Sequence, residues 1–281
     1  MQYQRGRQMK KLLVFTDLDG CLLDHHSYSW NEARPAITAL KEHAYPLILN
    51  SSKTATEMIS LRQQLQNSHP FMSENGSTVN IPSNYFTTPY LEPHGSTKLS
   101  QQLFAKPYKD IIDVLHKLRR ENGFKFSGFF DMNDAELASL CNLSQEQAND
   151  AKKREASEPI IWQDSESALK QFKTRLVKHG LIIIKGGRFF HIMSDVNKGK
   201  SLLWLKEKYQ NEEPHTHWIT IGLGDSYNDM AMLEAVDYPV LIPNPSIEQP
   251  DFSDLNTLMN PRLPGPAGWN EAILSLLNKI L

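Results

Sequence analysis

Four short segments of the chain hold side chains that can bind or move charge. Asp17-Leu18-Asp19-Gly20 sets two carboxylates two residues apart. Both can approach one point if the chain turns, and Gly20 permits the turn. The same four residues also read as a capping aspartate in an ordinary turn. Gly224-Asp225-Ser226-Tyr227-Asn228-Asp229 supplies more acidic oxygens, although Asp229 equally suits the cap of a helix over 230–236. A hard divalent cation takes oxygen ligands, and Mg²⁺ commonly uses one or two carboxylates with water and phosphate. Two acidic clusters in one chain point to such a site more firmly than either does alone. Asn50-Ser51-Ser52-Lys53-Thr54 offers hydroxyls and free amides where a helix begins, which is an anion site or simple capping by Ser52 or Thr54. Asn197-Lys198-Gly199-Lys200 also opens a helix. A lysine there faces the positive end of the helix dipole, so it either meets an acidic or phosphate partner or stays in solvent.

Three of the segments follow short apolar runs, at 12–15, 47–49 and 218–221. Further runs lie at 70–72 and 239–242. Helical spacing separates them: Ile37 and Leu40, then Met58, Leu61 and Leu65, then Leu202, Leu205 and Tyr209, then Trp269, Ile273, Leu277 and Ile280. Thr54 and Glu57 have the spacing of a capping box. Alternating runs of this kind predict a parallel α/β sheet, and such sheets bind ligands at the carboxyl ends of their strands. Residues 85–191 differ. A helix through Ile111, Val114, Leu115 and Leu118 stops at Gly123, and 124–130 and 160–162 read as strands. Residues 134–156 and 165–179 read as helices, with Ser144 and Gln147 at capping-box spacing and Gly180 as a stop. The runs 181–184 and 189–193 flank Lys185-Gly186-Gly187-Arg188, a hairpin signal. The expectation is an α+β module inserted into the α/β unit.

Composition narrows the function. The 281 residues are 40% hydrophobic, enough for a sizeable core, and carry a formal charge of −2, which argues against a general nucleic-acid binder. No apolar run approaches the ~20 residues needed to cross a bilayer. The run at 12–15 is shorter than the ~7–15 residues of a signal peptide, so the first ten residues read as a tail and the expected compartment is the cytoplasm. Two cysteines make no disulfide framework. The neighbouring His25 and His26 have the wrong ligand preference for Mg²⁺.

In chain order, the four segments resemble the motifs of the haloacid dehalogenase phosphatase superfamily. Asp17-Leu18-Asp19-Gly20 is similar to its first motif, Ser51 to its second, Lys198 to its third, and Gly224-Asp225-Ser226-Tyr227-Asn228-Asp229 to its fourth. Glu74-Asn75-Gly76 resembles the Asn-Gly turn of the Cof-like branch. Cys21 departs from the Thr of many relatives, and Ser51-Ser52-Lys53 replaces a frequent Thr-Gly-Arg. The resemblance spans nearly the whole chain. It implies an α/β fold with a Rossmannoid parallel-sheet core from 1–84 and 192–281 and an inserted α+β cap of the C2 type from 85–191. More narrowly, Asn50-Ser51-Ser52-Lys53-Thr54 and Lys185-Gly186-Gly187-Arg188-Phe189 resemble the branch that acts on mannosyl-3-phosphoglycerate.

For function, the resemblance implies a Mg²⁺-dependent phosphomonoester hydrolase that releases mannosylglycerate and phosphate. It implies Asp17 as nucleophile, through an aspartyl-phosphate, and Asp19 as acid and base. Ser51 and Lys198 would hold phosphoryl oxygens. Asp17, Asp225 and the backbone carbonyl of Asp19 would hold Mg²⁺, with Asn228 and Asp229 around them. Lys185, Gly186, Gly187 and Arg188 are candidates to bind a glycerate carboxylate, or else form a solvated hairpin tip. The implied partner is a small phosphorylated sugar or glycerate, with neither nucleic acid nor membrane. A general Cof-like sugar phosphatase and a phosphomutase are the alternative readings. The presence of both Asp17 and Asp19 argues against a protein that only binds sugar phosphates.

Overall fold

A computed structural model describes residues 9–87, 98–186, 188–248, 250–252, 255 and 257–280. Its first part comprises β1 (Met9–Thr16), α1 (Arg34–Glu42), β2 (Leu47–Asn50), α2 (Ala55–Gln64), β3 (Phe71–Ser73), β4 (Thr78–Pro82) and β5 (Leu99–Leu103). The middle comprises α3 (Tyr108–Asn122), β6 (Phe126–Gly128), α4 (Asp134–Cys141), α5 (Gln145–Lys152), β7 (Ser157–Trp162), α6 (Glu166–Lys178), β8 (Leu181–Lys185) and β9 (Phe190–Ser194). The last part comprises α7 (Lys198–Glu212), β10 (Thr216–Gly224), α8 (Met230–Glu234), β11 (Tyr238–Leu241) and α9 (Gly265–Ile280).

Seven strands form one sheet in the order β11-β10-β1-β2-β3-β4-β5. From β11 to β3 the pairing is parallel, and the β3–β4 and β4–β5 pairs are antiparallel, so β4 alone runs the other way. The alternation of side chains along β1 builds the layers. Leu12 and Val14 pack with Ile37, Leu40, Trp269 and Ile273 from α1 and α9. Leu13 and Phe15 point the other way, to Leu202, Leu205, Met232 and Leu233 from α7 and α8. A strand buried on both faces reads as an unbroken apolar run, which is why the sequence shows one at 12–15. Register then brings three loops together: Thr16 lies opposite Leu223 of β10 and Leu49 of β2.

The second sheet is antiparallel, in the order β6-β7-β9-β8. Ile111 and Leu115 of α3 and Phe172 and Leu176 of α6 cover it, against Phe126, Ile160, Leu181 and Ile192. Helices α4 and α5 form a separate small cluster of Leu137, Ala138, Cys141, Ala148 and Ala151 with Phe129. Glu74 joins the two units. Its carboxylate is buried and accepts from the amides of Glu155 (2.7 Å) and Ala156 (3.2 Å) and from Ser157 Oγ (2.5 Å).

Several elements differ from the sequence expectation. Leu99–Leu103 lies within the stretch 85–191 yet pairs with β4 as an edge of the larger sheet, while β9 extends to Ser194. Its residues are all half-buried, so no apolar run announces it. The helix expected over 134–156 breaks at Asn142, whose φ of 57° is left-handed, and restarts after the Ser144 cap. The strand expected over 124–130 shortens to Phe126–Gly128, because Asp131 and Glu158 take the amides of Gly128 and Phe130. Gly187 and residues 1–8 of the expected tail lie outside the described residues.

Helix α7 approaches α8 closely at Gly199, where an added Cβ would lie 2.1 Å from the Ala231 carbonyl oxygen. Alanine gains about 1 kcal/mol of helix propensity over glycine, but forced overpacking costs about 1–3 kcal/mol. Gly199→Ala should therefore lower stability in urea unfolding. A stabilised variant would contradict this contact.

Candidate active site

The β1 loop turns at once. The Asp17 amide donates to the Leu223 carbonyl (2.8 Å), and Gly20 takes a φ of +79°. A Cβ on Gly20 would fall 2.4 Å from Asn244 Nδ2 and 2.8 Å from Asp225 Oδ2. Glycine is thus required there by both conformation and space. Behind the loop, Trp269 Nε1 donates to Thr16 Oγ1 (2.9 Å), and Thr16 Oγ1 donates to the Asp17 carbonyl (2.7 Å).

Lys198 enters from the first turn of α7. Its side chain is fully buried, and Nζ donates to Asp17 Oδ1 (2.5 Å) and Asp229 Oδ1 (2.6 Å). Burial opposes its charge, but Asp17 and Asp229 outweigh that and raise its pKa. The other oxygen of Asp229 accepts the amides of Asp225 (3.0 Å) and Ser226 (3.2 Å). Asp229 does not cap α8 with its side chain; it folds the β10 loop and holds the lysine. Carboxylate oxygens of Asp17, Asp225 and Asp229 all lie within 4.8 Å of one another. Burial, and then its acidic neighbours, push the Asp17 carboxyl upward against the pull of Lys198. Burial and Asp229 raise Asp225 to about 7, even though Asn244 Nδ2 donates to it (2.6 Å).

Three buried carboxylates thus face one buried ammonium. A divalent cation would supply the two missing charges, and hard oxygen donors suit one. Both oxygens of Asp229 are already engaged, so Asp17 and Asp225 are the carboxylates with capacity to spare.

Ser51 is buried at the end of β2; its amide donates to Met72 O (3.1 Å) and its carbonyl accepts from Asn75 N (2.9 Å). Asn75 in turn accepts from Asn228 Nδ2 (3.1 Å), which ties the second loop to the fourth. Asp19 stands slightly apart from the carboxylate cluster. Its Oδ2 pairs with Lys53 Nζ (2.9 Å), and its Oδ1 is buried with no hydrogen-bond partner among the described residues.

Asp17, Asp19, Asp225 and Asn228 open onto a cavity of about 730 Å³. From the β8–β9 region Lys185, Gly186, Arg188, Phe189 and His191 line it too, and Arg154 joins them. Of the hairpin candidates, Lys185, Gly186 and Arg188 therefore line the same cavity as the carboxylates. Arg188, however, already donates to the carbonyls of Leu140 and Cys141, at 3.3 Å each. His25 also lines the cavity and is not part of the acidic cluster.

The fold and these loops define a hydrolase class: the chain belongs to the haloacid dehalogenase-like hydrolase family, which it matches over residues 14–255. Two relatives are named glucosyl-3-phosphoglycerate/mannosyl-3-phosphoglycerate phosphatase. The protein from Methanococcoides burtonii is 38% identical over 96% of this chain and 98% of its own. That from Persephonella marina is 34% identical over 96% and 98%. Among solved structures, a Thermoplasma acidophilum protein superposes with a TM-score of 0.66 at 17% identity, covering 96% of this chain and 99% of that one. Sucrose-phosphatase from Synechocystis sp. PCC6803, solved with sucrose and phosphate, gives 0.60 at 15% identity, covering 95% and 98%. At such identities the likeness is one of fold.

Sequence reasoning passed over Asn244, Arg154, His191 and the side chain of Lys53. Asn244 and His191 have no local pattern that marks them. Lys53 stands inside the Asn50–Thr54 motif, and its charge is the available signal.

The crowded carboxylates make a pH prediction. Native Asp225, like Asp17, keeps its proton to higher pH than the unfolded chain does, so the native state binds more protons between the ordinary carboxylate value of 3.8 and about 7. Stability of the metal-free protein must then fall as pH rises through that window. Asp225→Asn should flatten the slope and give a higher Tm than wild type at pH 7 in chelator. A steeper slope or a lower Tm would contradict the charge imbalance.

Proposed function

We propose that this chain is a Mg²⁺-dependent phosphatase that releases phosphate from glucosyl- or mannosyl-3-phosphoglycerate. The observation that carries the reading is Asp17: a buried carboxylate at the floor of the cavity, held by Lys198, with Asp19 beside it. The relatives' names support the substrate class and extend it from the mannosyl ester to the glucosyl one. Asp17, Asp225 and the backbone carbonyl of Asp19 would hold Mg²⁺. Bound there, the ion would offset repulsion between the phosphoryl group and Asp17.

The chain's own residues supply the remaining steps. An oxygen of Asp17 attacks phosphorus, and the bond to the ester oxygen breaks. Asp19 gives that oxygen a proton; its unpartnered Oδ1 is free to reach it. Water then attacks the phosphorus of the aspartyl-phosphate while Asp19 takes its proton, and Asp17 is restored. An ammonium has three donors, two of which Lys198 spends on Asp17 and Asp229. The third, and the Ser51 hydroxyl, would serve a phosphoryl oxygen that reaches past the cavity lining, since both side chains are buried and neither lines the cavity. Asn228 and Asp229 keep the loops in place. The proposed compartment is the cytoplasm, consistent with two buried cysteines that form no disulfide.

The test is phosphate release from both glycosyl-3-phosphoglycerates. Asp17→Asn should abolish it, since an amide is no nucleophile. Asp19→Asn should lower kcat by roughly 10²–10⁴-fold, the usual scale of acid–base assistance. No free phosphate from either ester, or near-normal turnover by Asp17→Asn, overturns the reading. Transfer of the phosphoryl group to a second hydroxyl without accumulation of phosphate would favour a mutase.

A further inference from the structure

Among the described residues, four cations line the cavity; Lys185 stands at the exposed end of β8, and the other three gather around Cys141. Arg154, Arg188 and Lys53 all line the cavity, and the charges of all three bear on the thiol of Cys141. They are not equally available. Arg188 is directed at the carbonyls of Leu140 and Cys141. Arg154 donates to the carbonyls of Ala151 (3.2 Å) and Ser52 (2.9 Å) and to Ser157 Oγ (3.2 Å), and so serves as a brace between the units. Lys53 has a different kind of partner. Its one salt bridge among the described residues is to Asp19, at 2.9 Å. The ring of Tyr28 stands 5.5 Å from the ammonium, and the side chain stays 22% exposed.

The main chain of Lys53 is fixed against the residues expected to hold phosphate. Its amide donates to Ser51 Oγ (3.4 Å), and its carbonyl accepts from Glu74 N (2.9 Å). Lys53 therefore sits at a set distance from both the phosphate loop and the proton donor. Glu57 is the remaining acid near it; that carboxylate accepts the Thr54 amide (2.8 Å) as part of the α2 cap.

Resting on the phosphatase reading, we infer that Lys53 selects esters whose alcohol carries a carboxylate close to the phosphate. In a 3-phosphoglyceryl group the carboxylate and the ester oxygen belong to one short carbon chain. When Asp19 reaches the ester oxygen, the ammonium bound to Asp19 lies beside that chain. Two of its three donors remain for the substrate carboxylate. Lys53 thus bridges the proton donor and the substrate anion, and an alcohol without the carboxylate forfeits that bridge.

The test compares mannosyl-3-phosphoglycerate with mannosylglycerol phosphate, in which a hydroxymethyl group replaces the carboxylate. Loss of Lys53 also frees Asp19, which affects both esters alike, so the readout is the ratio of their kcat/KM values. Wild type should prefer the carboxylate ester. Lys53→Met should reduce that preference by roughly 10- to 100-fold, the worth of a charge-assisted hydrogen bond, with the change chiefly in KM. Lys53→Gln, which keeps a hydrogen bond to Asp19, should lose the preference too, and serves if Lys53→Met does not fold. A preference that survives both Lys53 variants, or is absent from wild type, overturns the inference and leaves the phosphatase reading standing. Wild type that hydrolyses neither ester overturns both.

Discussion

One buried ammonium holds the candidate site together. Lys198 Nζ lies between Asp17 and Asp229 on a fully buried side chain, at the amino end of a helix whose dipole disfavours it. Removing one partner of such a pair leaves a buried charge and costs about 3–5 kcal/mol. The geometry of the loops follows from this contact. Gly199 lets α7 come close enough to α8 to deliver the lysine. Asp229 can receive it because its other oxygen is fixed by two amides of its own loop. Asp17 is delivered by the ladder between β1 and β10. Three carboxylates around this one ammonium leave the cluster short of positive charge, which a divalent cation would offset.

The second constraint is Glu74. Its carboxylate, buried in the larger unit, takes two amides and a hydroxyl from the start of β7. A charge-assisted bond of this kind is about twice as strong as a neutral one. Thr54 Oγ1 also donates to the Asp150 carbonyl (2.9 Å), so the loop after β2 is tied to the smaller unit on both sides of Lys53. The smaller sheet therefore stands over Asp17 and Asp19 by specific bonds. Its wall of Phe129, Ile183, Phe189 and His191 gives the cavity a less charged face for the non-phosphate part of a ligand.

Much of this was legible in the residues. Strands buried on both faces show as apolar runs, and the carboxylates and hydroxyls that follow them fall at strand ends, where a parallel sheet gathers its ligands. Capping boxes at Thr54 and Ser144 were visible because both partners lie within four residues. What was missed depends on distance along the chain or on competing local bonds. β5 is polar and half-buried, and only its pairing with β4 makes it a strand. Asn244 reaches Asp225 from 19 residues away. Arg188 stands out by its charge, its hairpin and its motif, and none of these shows that nearby carbonyls take its donors. Lys53 carried the same kind of signal, and only the fold shows that it ends at Asp19.

The most direct measurement concerns the carboxylate that Lys198 holds. Protein mixed with mannosyl-3-phosphoglycerate and Mg²⁺, quenched in acid during turnover and digested, can be mapped by mass spectrometry. A phosphorylated peptide whose modified residue is Asp17, present during turnover and gone when substrate is exhausted, is the expected result. Phosphate carried on another residue, or turnover with no phosphorylated peptide at any quench time, would contradict the assignment of Asp17 as the group that attacks phosphorus.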